Sequence, residues 1–125
     1  MSPLRQTGVA AATIGLLALA GCTSNVTPTD AKAAIAVTST DDACEVAPVE
    51  APSGTLVFTV TNTGSQTTEF YLYGEDGETV VAEVENIGPG LSRDMVVEAE
   101  PGAYITACKP GMAGDGIRAA FTVTE

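Results

Sequence analysis

An all-β sandwich of seven or eight short strands is the fold class that this 125-residue sequence predicts. Three observations carry the prediction. Apolar and polar residues alternate at a period of two over short runs. Clusters of Gly, Pro, Asn and Asp interrupt those runs at intervals of roughly ten residues. Beyond the first apolar stretch, no segment has the length and period of a helix.

The first stretch stands apart from this pattern. Arg5 gives a short basic start, and residues 9–19 form an apolar run too short to span a bilayer as a stable helix. It ends in Leu19-Ala20-Gly21-Cys22. A basic start, an apolar core and small residues describe an export signal. The L-A-G-C ending resembles the bacterial lipobox, whose cysteine receives a diacylglyceryl thioether and becomes the lipidated N-terminus. The expected organisation is a lipoprotein signal peptide over 1–21, lipidation at Cys22, a flexible tether over 22–33 and one domain over 34–125. That places the protein at the cell membrane, lipid-anchored on its extracytoplasmic face.

Residues 31–34 could form a helical turn, whereas 34–39 alternate and suit a first strand. Residues 44–51 read as an irregular strand interrupted by Pro48, which belongs at an edge or a bulge. After a turn at Pro52-Ser53-Gly54, residues 55–62 alternate with Leu56, Phe58 and Val60 on one face. Residues 69–73 make a short aromatic strand. In the next strand, 79–85, Glu83 and Glu85 fall on one side and Val80, Ala82 and Val84 on the other. Residues 91–98 form a further strand. A closing hairpin runs from Pro101 to Cys108, through the Gly-rich loop 109–116, and back along 117–124.

All sixteen acidic residues lie after Cys22, against four basic ones (Lys32, Arg93, Lys109 and Arg118), a net charge of −12 for that part of the chain. Such a surface argues against nucleic acid as a partner and favours cations or basic partners. The absence of histidine excludes Ser-His-Asp and Cys-His catalysis and every histidine-ligated metal site. No enzymatic activity is therefore expected, apart from a metal redox role with a partner. If Cys22 carries lipid, Cys44 and Cys108 remain as a pair outside the cytoplasm, where disulfides persist.

The Pro-Ser-Gly turn, the Leu56-Val57-Phe58-Thr59-Val60-Thr61-Asn62 strand and the late Pro101-Gly102-Ala103-Tyr104 approach to Cys108 resemble the cupredoxin fold, a Greek-key β-sandwich. The segment Glu83-Val84-Glu85-Asn86-Ile87-Gly88-Pro89-Gly90 is similar to the cupredoxin-like domain of the EfeO family, extracytoplasmic components of bacterial iron uptake. The resemblance runs from about Ile35 to Val123. Many EfeO proteins also carry a helical imelysin-like domain, so the likeness here is to cupredoxin-only members or to a separated module.

That resemblance implies copper or iron as cofactor, and an iron permease or a haem peroxidase of the same system as partner. It maps Cys108 to the cysteine ligand position, Met112 to an axial thioether and Glu69 to the place usually held by a histidine, with Cys44 entering from the other sheet. Thiolates favour copper and carboxylates ferric iron, so this ligand set admits either. Apart from the resemblance, Glu83 and Glu85 share a face and could form a second, harder cation site. The alternative is a structural or adhesive lipoprotein in which Cys44 and Cys108 form a disulfide, closing a loop of about 64 residues and adding roughly 4 kcal/mol.

Overall fold

The computed structural model describes residues 31–125. The signal stretch, Cys22 and the tether up to residue 30 lie outside the described residues.

The described chain forms nine strands. They are β1 (Ala33–Ser39), β2 (Cys44–Ala47), β3 (Glu50–Pro52), β4 (Gly54–Asn62), β5 (Thr68–Gly74), β6 (Val80–Ile87), β7 (Ser92–Ala99), β8 (Gly102–Cys108) and β9 (Ile117–Thr124). One sheet has the order β2-β1-β4-β7 and the other β3-β9-β8-β5-β6. The chain crosses between the sheets at β2–β3, β3–β4, β4–β5, β6–β7 and β7–β8, so most strands have sequence neighbours in the opposite layer.

Alternation explains why the layers close on one another. Leu56, Phe58 and Val60 of β4 are fully buried, and Phe70 and Leu72 of β5 meet them from the other sheet. Phe58 is the centre of the core, with ring centroids 5.5 Å from Phe70 and 5.3 Å from Phe121. Three buried polar residues, Ser39, Asn62 and Thr68, lie at one end of the sandwich. Asn62 donates to the carbonyls of Gln66 and Ile87 and accepts from Gly64 N, and the hydroxyls of Ser39 and Thr68 pair across the layers at 3.0 Å. No buried side-chain nitrogen or oxygen among the described residues lacks a partner, as low-dielectric burial demands.

Three expectations are corrected. Ala33 and Ala34 belong to β1, which pairs in parallel with β4, and form no helical turn. The segment around Pro48 is two strands in two different sheets, which raises the count to nine. Proline has no N–H to continue a ladder, so β2 stops at Ala47 and the chain leaves for the far edge, where β3 pairs with β9. Val80, expected on the inner side of β6, is 48 % exposed, because the β5–β6 register shifts between Leu72 and Tyr73. Tyr104 is a corner tyrosine, its hydroxyl donating to the carbonyl of Glu100 at 2.7 Å.

Candidate functional site

The residues singled out in the sequence separate onto two sides of the five-stranded sheet. Cys108 ends β8 and pairs in register with Phe70, a core residue, so its side chain faces inward and is fully buried. Cys44 opens β2 in the opposite sheet. Their sulfurs are bonded, with the Cα atoms 5.5 Å apart and 64 residues between them in sequence. The disulfide therefore ties one layer of the sandwich to the other.

The loop after Cys108 folds back on the start of β5. Lys109 N donates to the carbonyl of Glu69 and Gly111 N to that of Thr67, both at 2.8 Å. A short 3-10 turn follows over Pro110–Met112. Met112 is 43 % exposed. The turn is tied by the backbone bond to Thr67, just before β5, and none of its residues is buried.

Glu69 belongs to the other side. In β5, Phe70 and Leu72 point into the core, which sends Glu69, Tyr71 and Tyr73 to the outer face. The Tyr71 hydroxyl lies 3.2 Å from Glu69 Oε2 and 3.4 Å from Glu85 Oε1 of β6. Glu83 sits opposite Tyr71 in the β5–β6 register. The structure thus brings Glu69 together with Glu83 and Glu85, and does not bring it to the cysteines.

Two cations cover this aromatic strip. Tyr71 and Tyr73 stack at 5.4 Å with an 8° angle between planes. Lys109 Nζ lies 4.1 Å from the Tyr71 centroid, and the Arg118 guanidinium lies 4.7 Å from that of Tyr73. Arg118 is itself held by donation from its side chain to the carbonyls of Asp115 and Gly77. Burial, and then the charges of Glu69 and Glu83, push the Tyr71 phenol far above its ordinary value, so it stays protonated in neutral solution. The roles of Tyr71, Tyr73, Lys109 and Arg118 are absent from the sequence reading. The signal for the tyrosines is the strict alternation Glu69-Phe70-Tyr71-Leu72-Tyr73; for the two cations, distant in sequence, there is none.

As folded, the donor set does not fit a mixed sulfur–carboxylate centre. Both cysteine sulfurs are consumed by the bridge, and Glu69 lies across the sheet from them. Among the described residues, no group of three or more Cys, Asp or Glu side chains stands ready to hold a metal ion.

Comparison with known proteins places these observations. A family described as "Cupredoxin-like domain" matches residues 10–123. The iron uptake system component EfeO of Yersinia pseudotuberculosis serotype I (strain IP32953) is 34 % identical over 74 residues, covering 59 % of this chain and 19 % of that protein. The match thus spans about a fifth of the length of this curated relative. Among solved structures, dithionite-reduced auracyanin from Roseiflexus castenholzii superposes with a TM-score of 0.60 at 22 % identity, covering 76 % of this chain and 99 % of that one. The azurin Az-iso2 from Methylomonas sp. strain J gives a TM-score of 0.58 at 15 % identity, covering 76 % of this chain and all of that one.

Proposed function

The chain belongs to the cupredoxin-like domain family, and from that premise we propose that it is an extracytoplasmic, metal-binding component of a bacterial iron-uptake system. It binds iron or copper and delivers metal or electrons to a partner of the same system, an iron permease or a haem peroxidase. It is held at the membrane through lipid on Cys22. The observation that carries this reading is the 34 % identity to a protein named iron uptake system component EfeO.

The outer face supports a hard cation as the cargo. Glu69, Glu83 and Glu85 gather around one phenol, and carboxylate oxygens suit ferric iron better than they suit a soft ion. Glu83 and Glu85 are exposed and long, so they can close on an arriving ion. The cysteines offer thiolates only after reduction of the bridge.

Titration of the full chain with iron and with copper, oxidised and then reduced, tests the reading. Saturable binding at micromolar metal in at least one form is expected. No binding of either metal by either form contradicts it. A second reading, a structural sandwich stapled by Cys44–Cys108, is favoured by the bridge itself. It predicts no thiol from these two residues, and a thermal stability that does not change with metal.

A further inference from the structure

Tyr71 is only 9 % exposed, yet its hydroxyl stands between carboxylates from two strands, Glu69 Oε2 at 3.2 Å and Glu85 Oε1 at 3.4 Å. A phenol carries one proton, so it can donate to one of them at a time. Both distances exceed the ~2.7–2.8 Å usual for an O–H···O bond, as expected of an oxygen committed to neither acceptor. The ring cannot swing aside to settle the competition. It is stacked on Tyr73 and capped by Lys109 Nζ at 4.1 Å. Glu83, opposite Tyr71 in the register, adds a third negative charge but makes no bond to the hydroxyl.

We infer that Tyr71 is a positioning residue that couples Glu69 to Glu85 through this single shared proton. Whatever occupies Glu69 releases the hydroxyl to Glu85, and occupation of Glu85 returns it to Glu69. Coupling of this kind is reciprocal by thermodynamic necessity. Its consequence for metal loading rests on the carboxylate face being the cation site of the proposed function. The coupling itself needs no metal.

The test is carbon-13 NMR of the full chain labelled at glutamate carboxyls, metal-free at neutral pH. Glu69→Gln weakens the acceptor at that position, so the Glu85 carboxyl resonance is expected to shift as the hydroxyl turns to it. In the Tyr71→Phe background, which keeps the ring, the same Glu69→Gln change is expected to leave Glu85 where it was. An equal shift in both backgrounds means that charge acting through space suffices, and overturns the inference. So does the absence of any shift in the background with Tyr71 intact. If Tyr71→Phe fails to fold, Glu83→Gln serves as the control, because Glu83 carries the same charge but makes no bond to the hydroxyl: a Glu85 shift no larger after Glu69→Gln than after Glu83→Gln overturns the inference. A failed coupling leaves metal binding standing, and failed metal binding leaves the coupling standing.

Discussion

At the scale of single residues, the carboxylates divide by what donates to them. Asp41 accepts from Ser65 N, Ser65 Oγ and Gln66 N, which joins the turn before Cys44 to the loop after β4. These bonds hold its carboxyl below the ordinary value of 3.8. Asp76 does the same inside its own turn, accepting from Glu78 N, Thr79 N and Thr79 Oγ, and is lowered to about 2. A carboxyl lowered on folding contributes stability above its unfolded value, and that contribution is lost as pH falls through the folded value. Asp41→Asn and Asp76→Asn should therefore flatten the fall in stability below pH 3.8, measured by urea unfolding along a pH series. In the core, Phe58→Ala should cost about 3–5 kcal/mol in the same assay, because Phe58 is fully buried between two other rings. The side of the sheet that Glu69 occupies was legible. The period that makes Phe70 and Leu72 core residues sends Glu69 and Tyr71 outward. Its expected meeting with Cys108 came from family resemblance and runs against that period.

At the scale of elements, legibility follows burial. β4 is read well because one face is wholly buried, so any slip in its phase would expose Leu56, Phe58 and Val60. The segment around Pro48 is read poorly. Its two halves are short edge strands whose partners, β1 and β9, come from opposite ends of the sequence. β6 is an edge strand with a shifted register, and alternation alone does not report the shift. The closing hairpin has a steric requirement of its own. Gly116 adopts φ +78°, and a Cβ there would lie 2.7 Å from the carbonyl oxygen of Cys108. Gly116→Ala should destabilise the protein by about 1–2 kcal/mol or more, from the left-handed backbone alone before the clash is added. The Cys44–Cys108 bridge joins β2 to β8 and therefore sheet to sheet. Cys44→Ser with Cys108→Ser should lower the unfolding free energy by roughly 4 kcal/mol on the loop-entropy account, read from the denaturant midpoint.

At the scale of the whole molecule, the all-β class was legible in the alternation and turn spacing, and the Greek-key sandwich in the resemblance. The candidate site was legible in part. Its carboxylates Glu69, Glu83 and Glu85 stand out in the sequence as residue types, but their meeting around Tyr71 depends on the pairing of β5 with β6. The Lys109 and Arg118 caps depend on the sheet order, Lys109 following the end of β8 beside β5 and Arg118 reaching Tyr73 from β9, two strands away. The excess of negative charge that draws cations also repels itself, and long-range attraction of this kind weakens as salt rises. The proposed function puts a metal ion on the outer carboxylate face, among Glu69, Glu83 and Glu85. Ferric iron titrated into the full chain, wild type beside a variant carrying Glu69→Gln, Glu83→Gln and Glu85→Gln, tests it most directly. Saturable binding by the wild type, lost in the variant with the fold intact, is expected. Binding of equal strength in both proteins, or in neither, contradicts it.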